Sequence, residues 1–525
     1  MGMPRRLAWA TAPRVAFVAV ALLLAFVWLR FHSWEVYMYA SAVEGFFRLS
    51  DMFKAVQGGQ DLPEVSHYHP YHPLLHMVVG ALTRLLSPLG ADALLVAVLL
   101  NKLAALLALP CAFFVLQALT QDRTAALVGT AFLFSTKAFL FGAFSGEAHM
   151  VSLAFLFGAL ALVVRTTDGQ HEARIGLLGG ALFSVGTAMN LAVFFYGLAP
   201  LLILLVARRT RAAAAALAVS FVLLFLMYIV FPVLFFGLKT SHEYFRLFSI
   251  YADLPKSVPP LGTQLRDFAG ALSSGLVGGV SVVASLVRIC SLVLLVAGAV
   301  AWAKAPTVPT GPTGLLARVW IAVWIVGFAG GEIAMNTAKS VNGTLYVMLP
   351  LAALVALLCS SLRRGAPRAA LTALLVVVSA WNLARVVSPK VFVPPGTRPH
   401  LQTLSLVPAP QTPVAVVLEH MSLFREVHYL GSRLGVRDLT AFIPHLPESQ
   451  AQLRTWMGEK RAFCILSSTP LPAIVGVAPL LSTSSTLSPD VYHFSVDHPE
   501  AHRDVIKQTY LVCRGARLVP RPATR

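Results

Sequence analysis

Charged residues are scarce in this chain: Asp, Glu, Lys and Arg make up 12% of 525 residues, whereas hydrophobic types make up 57%. A soluble globular domain carries roughly 25% charged residues, so water is not the main solvent here. The composition therefore excludes an ordinary soluble enzyme and predicts an integral membrane protein.

Acidic residues are fewer than basic ones, 23 against 41, which gives a net charge of +18. Such a surplus can indicate a nucleic-acid partner. Here, however, the basic residues gather at the ends of apolar runs, where membrane insertion alone explains them. We therefore expect no nucleic-acid binding.

Cysteine is also rare, and its five residues show no metal-ligand spacing. Cys464 and Cys513 both lie in the C-terminal segment, where a disulfide would suit an exported compartment, although spacing alone does not establish one. The sequence has no Gly-rich phosphate loop either. We expect no resident metal or cofactor.

Long apolar runs dominate the first 388 residues, and about 20 residues are needed to cross a hydrocarbon core of about 30 Å. Eleven runs are near 14–31, 92–119, 124–141, 148–165, 175–189, 191–207, 212–238, 272–303, 315–331, 343–360 and 369–388. The runs that meet at Asn190 form either a helical hairpin or one broken helix. The first run resembles a signal peptide, but ten further runs favour a retained anchor.

The distribution of basic residues predicts the orientation, because positively charged short loops stay in the cytoplasm. With the N-terminus inside, the short cytoplasmic connections hold Arg5, Arg6, Arg14, Arg123, Arg165, Arg174, Arg208, Arg209, Arg211, Lys304, Arg318, Arg363, Arg364 and Arg368. The longer outer loops hold Arg48, Lys54, Arg84, Lys239, Arg246, Lys256, Arg266 and Lys339. Most acids before residue 389 also lie outside, so carboxylate chemistry is expected on the outer face.

The first outer loop, residues 32–91, is long enough to be functional. Glu35 follows the first span directly, and aromatic residues at helical spacing after it predict an amphipathic helix on the membrane surface. Glu35 is the candidate general base, with Glu44 and Asp51 as alternatives. A solvated residue beyond a helix end is the simpler interpretation of Glu35.

Histidines and prolines close this loop. His69 and His72 lie next to prolines, and Pro73 suits the first turn of a short helix that reaches Leu86. A metal site needs three or four convergent ligands, so hydrogen bonding to a polar substrate is favoured over metal binding.

Ionisable residues near membrane depth supply the other candidates. Lys137 lies near the outer end of its span, and Glu147 and His149 follow in a short turn. Such groups are costly unless they are paired or line a cavity, which makes them functional candidates. Snorkelling of Lys137 and helix capping by the other two are the simpler explanations. Arg246 and Lys339, in later outer loops, could neutralise a phosphate.

The composition changes at Pro389. Residues 389–413 form a Pro-rich linker, and 414–525 are predicted to be a small soluble α/β domain on the extracytoplasmic side. Val414–Leu418 and Ala462–Ser467 have the pattern of buried strands, and Ser449–Met457 that of a helix. An accessory or acceptor-binding role is expected for this domain.

This arrangement resembles the GT-C glycosyltransferases that use polyprenyl-phosphate sugars, such as protein mannosyltransferases and aminoarabinose transferases. The likeness rests on one span, a large outer loop opening with Glu35, His72-Pro73 before a juxtamembrane helix, and the Glu147–His149 turn. Many members carry Asp, often as a pair, where this chain has Glu35.

The resemblance implies an all-α membrane bundle and a lipid-linked sugar as donor. Glu35 would be the catalytic base, His69, His72, Glu147 and His149 would bind substrate, and Lys137, Arg246 and Lys339 would bind the donor phosphate. The acceptor is a glycan, lipid or protein of unknown identity. Compact loops and high Ala and Arg content suit a bacterial inner membrane.

The alternative functions for a chain with this many apolar runs are a transporter, a lipid flippase and a non-catalytic envelope-assembly protein.

Overall fold

The computed structural model describes part of the chain. The described residues are 73–89, 93–144, 149–165, 172–196, 198–236, 240, 260–277, 281–304, 344–362, 365–386, 403–404, 406–407, 412–417, 427, 436, 438–442, 447–467, 492–495 and 508–514. The predicted spans near 14–31 and 315–331 lie outside them.

The N-terminal region is helical throughout its described part. Its helices are α1 (Pro73–Leu86), α2 (Ala93–Thr120), α3 (Arg123–Ser135), α4 (Lys137–Phe144), α5 (His149–Arg165), α6 (Glu172–Met189), α7 (Val193–Tyr196), α8 (Leu198–Val206), α9 (Thr210–Phe225), α10 (Phe231–Phe236), α11 (Leu261–Leu276), α12 (Val282–Lys304), α13 (Met348–Ser361) and α14 (Ala366–Val386). A π-helical turn at Leu226–Val230 joins α9 to α10, and a 3₁₀ turn at Leu345–Val347 precedes α13. The helix predicted to begin at Pro73 is confirmed.

Three of the described helices are long and apolar enough to cross a membrane by length and composition: Val96–Thr120, Thr210–Leu234 and Val282–Ala303. Four shorter apolar helices accompany them: Arg123–Ser135, His149–Val164, Leu345–Ser361 and Ala366–Asn382. Eleven spans remain a prediction.

Small residues let the helices approach closely. A Cβ on Gly176 would lie 2.2 Å from the carbonyl oxygen of Ala212, and one on Gly180 would lie 2.5 Å from that of Ala216. These glycines are four residues apart, so they form one face of α6 that packs against the alanines of α9. Lipid tails are as apolar as the helices, so such close packing is a main force between them.

Two predicted spans are interrupted. The run near 124–141 breaks at Thr136, whose hydroxyl donates to Leu133 O (2.8 Å) and accepts from Phe139 N (3.3 Å). Thr136 thus caps the end of α3 and the start of α4. The run near 272–303 is two helices, because α11 ends at Leu276 and α12 begins at Val282.

Asn382 bonds both of these helix ends. Its side-chain amide lies fully buried on α14 and donates to Ser135 O (2.8 Å) and to Leu276 O (2.7 Å). Both carbonyls lie at C-termini of helices, where intrahelical partners run out. One amide therefore holds the ends of α3 and α11 against α14.

Two ion pairs join helix ends elsewhere in the bundle. Asp122 caps α3 by accepting from Thr124 N and Ala125 N, and it also pairs with Arg368 at 2.9 Å. Arg368 donates in turn to Leu362 O and Ser360 O at the end of α13. Glu172 at the start of α6 pairs with Arg209 before α9.

The C-terminal region contains a five-stranded sheet. Its elements are β1 (Val414–Val417), β2 (Leu439–Phe442), α15 (Pro447–Glu459), β3 (Phe463–Ser467), β4 (Tyr492–Ser495) and β5 (Gln508–Arg514). The order is β2-β1-β3-β5-β4, with parallel pairs at β2-β1-β3 and antiparallel pairs at β3-β5-β4. The strands and helix predicted near β1, β3 and α15 are confirmed.

A disulfide crosses this sheet. Cys464 on β3 and Cys513 on β5 are register partners, and both are fully buried. Trp456 of α15 contacts the rings of Phe442 and Phe463, so the helix packs against the sheet.

We predict that Asp122→Ala lowers the melting temperature of the detergent-solubilised protein by a few degrees. The substitution removes a helix cap, worth about 1 kcal/mol, and leaves the half-buried Arg368 without this carboxylate. Asp122→Asn keeps the cap, so its melting temperature should lie between those of Asp122→Ala and the wild type. Equal melting temperatures for wild type and Asp122→Ala would contradict this assignment.

We predict a larger loss for Asn382→Leu, because it leaves two buried carbonyls unbonded at about 1–3 kcal/mol each. Ser379→Ala is the matched control, since the hydrogen bond that Ser379 Oγ donates to Leu375 O lies within one helix. Thermal unfolding of both variants checks this. If the two variants have the same melting temperature, the bridging role of Asn382 is wrong.

Candidate functional site

A polar network surrounds His149, the first residue of α5. Its Nδ1 lies 3.0 Å from Asn190 Nδ2 and 3.1 Å from the hydroxyl of Tyr346. The Tyr346 hydroxyl lies 2.9 Å from Ser152 Oγ, which donates to His149 O at 2.8 Å. The network therefore draws together α5, the end of α6 and the turn before α13.

The bonds of Asn190 fix the orientation of its side-chain amide. Asn190 Oδ1 accepts from Ala192 N at 3.0 Å, so its amide nitrogen is the group that faces the imidazole. The Nδ1 atom of His149 therefore has two hydrogen-bonding partners, the amide nitrogen of Asn190 and the hydroxyl of Tyr346.

Aromatic packing fixes the position of Tyr346. Its ring is 1% exposed and stacks on Tyr196, with centroids 5.0 Å apart and planes 14° from parallel. It also meets the His149 ring edge to face at 5.7 Å. The hydroxyl is thereby held against its two partners, as expected for a buried tyrosine.

Lys137 lies on the neighbouring helix at the break between α3 and α4. It is partly buried, and Arg288 of α12 is near enough for the two positive charges to interact. Arg288 also donates to Val277 O at 3.4 Å, directly after the Leu276 carbonyl that Asn382 bonds. Asn382 thus holds the backbone beside both cations.

Helix α4 connects the pair of cations, Lys137 and Arg288, to the polar network around His149. A Cβ on Gly275 would lie 2.3 Å from Thr344 Oγ1 and 3.6 Å from Ala138 Cβ, which places the end of α11 beside Lys137's helix. Further along α4, Gly142 approaches Leu345 and Met150. Leu345 precedes Tyr346, and Met150 follows His149. Lys137 therefore begins this eight-residue helix, and the histidine network packs near its other end.

The predicted site residues divide by location. Lys137 and His149 are brought to opposite ends of α4, and both side chains are partly buried. The others, Glu35, His69, His72, Glu147, Arg246 and Lys339, lie outside the described residues, and their roles remain predictions. Among the residues with described positions, no group of three His, Cys, Asp or Glu side chains could hold a metal ion.

Four residues of the site were not predicted from the sequence. Asn190 was identified only as a junction between two spans, and Asn382 is a lone amide in an apolar run, a signal that indicates an intramembrane contact. Tyr346 and Ser152 carry no such signal, because a Tyr or Ser at a helix end is common on any membrane protein.

Comparison with known proteins identifies the fold. No family model and no curated protein matches the sequence. The structure is similar to that of ArnT from Cupriavidus metallidurans in the apo state, with a TM-score of 0.60, 14% identity, and coverage of 96% of this chain and 98% of that one. An Archaeoglobus fulgidus oligosaccharyltransferase complexed with Zn and sulfate matches at a TM-score of 0.50 and 12% identity, over 86% of this chain and 67% of that one. The chain is an integral membrane protein that has the GT-C glycosyltransferase fold, which confirms the resemblance stated from the sequence.

Proposed function

We propose that this protein is a membrane glycosyltransferase that moves a sugar from a polyprenyl-phosphate donor to an acceptor on the extracytoplasmic face. The observation that carries the proposal is the pair of neighbouring cations, Lys137 and Arg288, inside a bundle of GT-C fold. Like charges repel strongly where water is scarce. An anion beside them offsets that repulsion, and a lipid phosphate is the anion that a membrane supplies at this depth.

The acids of the bundle support this interpretation. Asp122 and Glu172, the carboxylates whose side chains are described in the membrane region, pair with Arg368 and Arg209. Asp122 precedes α3, and Lys137 follows it, so roughly 20 Å separates them at 1.5 Å rise per residue. Asp122 therefore serves a helix end remote from Lys137.

The chemistry gives the cations a role in the reaction. The acceptor oxygen forms a bond to the anomeric carbon as the bond from that carbon to the phosphate oxygen breaks, and the acceptor's proton passes to a carboxylate. The phosphate changes from a diester with one negative charge to a monoester with two. Cations aimed at charge that grows in the transition state accelerate such a step.

Glu35 is the proposed base that takes this proton, with inversion at the anomeric carbon, and Glu44 and Asp51 are the alternatives. His69, His72, Glu147 and His149 are proposed to orient the substrates. Arg246 and Lys339 would assist Lys137 at the donor phosphate. No resident metal or cofactor is proposed, and no nucleic acid takes part.

The proposed membrane arrangement has about eleven spans, a cytoplasmic N-terminus and an extracytoplasmic C-terminal domain, in a bacterial inner membrane. The Cys464–Cys513 disulfide supports the exported position of that domain, because disulfides persist in oxidising compartments. The arginine pairs at Asp122 and Glu172 agree with basic residues gathering at the cytoplasmic end.

We predict that Lys137→Met lowers transfer from a polyprenyl-phosphate sugar by 100-fold or more, as expected when a charge that stabilises the transition state is removed. Lys137→Arg, which keeps the charge, should retain more activity, and Arg211→Gln, at the start of α9, is the surface control. Transfer is measured with purified protein and a panel of radiolabelled donors. Full activity of Lys137→Met would remove the cation pair from the mechanism.

We predict that Glu35→Gln abolishes transfer and leaves donor binding intact, because an amide cannot accept the proton at neutral pH. Glu44→Gln and Asp51→Asn are the matched comparisons. Transfer in membranes and donor binding are measured separately for each variant. If Glu35→Gln retains full activity and one of the comparisons does not, the base is that other residue.

A further inference from the structure

Four arginines gather around one ion pair at an end of the bundle, and we call Arg174, Arg208, Arg209 and Arg211 the arginine cluster. Arg209 pairs with Glu172 at the start of α6. The other three arginines lie within two residues of this pair along the chain, and all three are exposed. Glu172 is the one acidic residue in the stretches 172–174 and 207–211, so the cluster keeps a surplus of positive charge.

The arginine cluster lies where a membrane-crossing helix begins. Thr210–Leu234 is long and apolar enough to cross a membrane, and Arg211 is its second residue. Its 25 residues extend over about 37 Å, more than a hydrocarbon core of about 30 Å, so its first residues reach the phospholipid headgroups. On α6, Gly176 packs against Ala212, which places the neighbouring Arg174 at the same level.

An exposed apolar surface adjoins these arginines. Leu177 and Leu178 follow Arg174 by about one turn of α6, and they are 47% and 46% exposed. Leu205 of α8 precedes Arg208 by three residues and is 46% exposed. In an integral membrane protein such leucines contact lipid chains. A phospholipid matches this arrangement, because its phosphate and its alkyl chains are joined at the same boundary.

Arg208 has a backbone conformation that favours glycine. Its φ is 57°, and its N–H donates to Leu205 O at 2.9 Å, at the end of α8. Glycine is the usual residue at this position of a helix end, because a Cβ strains the left-handed backbone. Membrane insertion requires positive charge near the helix end, but not at the residue where a side chain is costly. A contact of the guanidinium is therefore expected to offset this cost.

Helix stability does not explain the arginines either. Arg174 lies in the first turn of α6 and Arg211 in the first turn of α9, where the macrodipole of each helix is positive. Cations are unfavourable at such positions, and they also repel one another. An anion at the level of the headgroups relieves both effects.

We propose that the arginine cluster is a docking surface for anionic glycerophospholipids, with the headgroup phosphate on the arginines and the alkyl chains against the leucines of α6 and α8. Guanidinium groups bind phosphate through paired, charge-assisted hydrogen bonds. A zwitterionic headgroup binds less well, because it brings a cation of its own to the cluster.

The docking surface is separate from the proposed transfer site. The arginine cluster lies at the start of α6, whereas Asn190, which bonds His149, directly follows the end of this helix of 18 residues. Lipid docking requires no sugar donor and takes no part in the transfer reaction. The inference is therefore independent of the proposed function.

The test titrates the detergent-solubilised full-length protein with phosphatidylglycerol or with phosphatidylcholine of the same acyl chains, and native mass spectrometry counts the bound lipids. We expect the first phosphatidylglycerol to bind at least about ten-fold more tightly, as basic residues near anionic headgroups do. An excess of inorganic phosphate should not displace the lipid, because a free anion lacks the contacts with the leucines.

A triple variant replaces the three exposed arginines of the cluster with glutamine. It should bind phosphatidylglycerol only as tightly as phosphatidylcholine. The matched control removes the same charge elsewhere by replacing three other exposed arginines, Arg266, Arg454 and Arg461, with glutamine, and it should bind as the wild type does.

Arg208→Gly separates the effect of charge from that of conformation. It should raise the melting temperature, because glycine suits the left-handed backbone, and yet weaken phosphatidylglycerol binding about five-fold. Arg208→Lys keeps the charge and should retain most of the binding. Melting temperatures also establish that each variant is folded.

The proposal is overturned if phosphatidylcholine binds as tightly as phosphatidylglycerol, or if inorganic phosphate displaces the lipid. It is also overturned if the triple variant binds phosphatidylglycerol as the wild type does, since the arginines would then serve membrane insertion alone. An equal loss of binding in the matched control would show that net charge, and not this surface, attracts the lipid.

Discussion

The bundle depends on a single amide that bonds two carbonyl oxygens in a region without bulk water. Asn382 donates to Ser135 O and Leu276 O, so the break between α3 and α4 and the end of α11 are held against α14. Each of these buried carbonyls would cost about 1–3 kcal/mol if it were left unbonded, and irregular backbone at membrane depth is tolerated only when it lies inside protein. Asn382 bonds the carbonyls at these helix ends, and the interrupted backbone beside Lys137 is therefore stable.

The site follows from those breaks. A continuous helix through residues 123–144 would carry Lys137 on a regular face, whereas the two caps of Thr136 place it at the start of a new helix beside Arg288. At the other end of α4, His149 is held by Asn190 and Tyr346. The cation Lys137 and the polar network of His149 thus lie one short helix apart.

The sequence predicted the elements whose signals are local. Pro73 marks the start of α1, and the apolar runs at Val414–Val417 and Phe463–Ser467 are buried parallel strands, as their unbroken hydrophobic pattern indicates. The sequence did not predict the points at which helices break inside apolar runs. Hydropathy averages over about 19 residues, so it joined α11 to α12 in spite of Gly278-Gly279 and joined α3 to α4 across Thr136.

Convergence in space was also beyond the sequence. Lys137 and His149 were chosen because ionisable residues are costly at membrane depth, and the structure places both at α4. The partners of His149, Tyr346 and Asn190, come from distant positions in the sequence, and such pairings depend on helix packing that no local pattern encodes.

The most direct test of the account is a cryo-electron microscopy structure of the protein with a polyprenyl-phosphate sugar bound. The account predicts phosphate density in contact with both Lys137 and Arg288; phosphate density remote from both cations would contradict it.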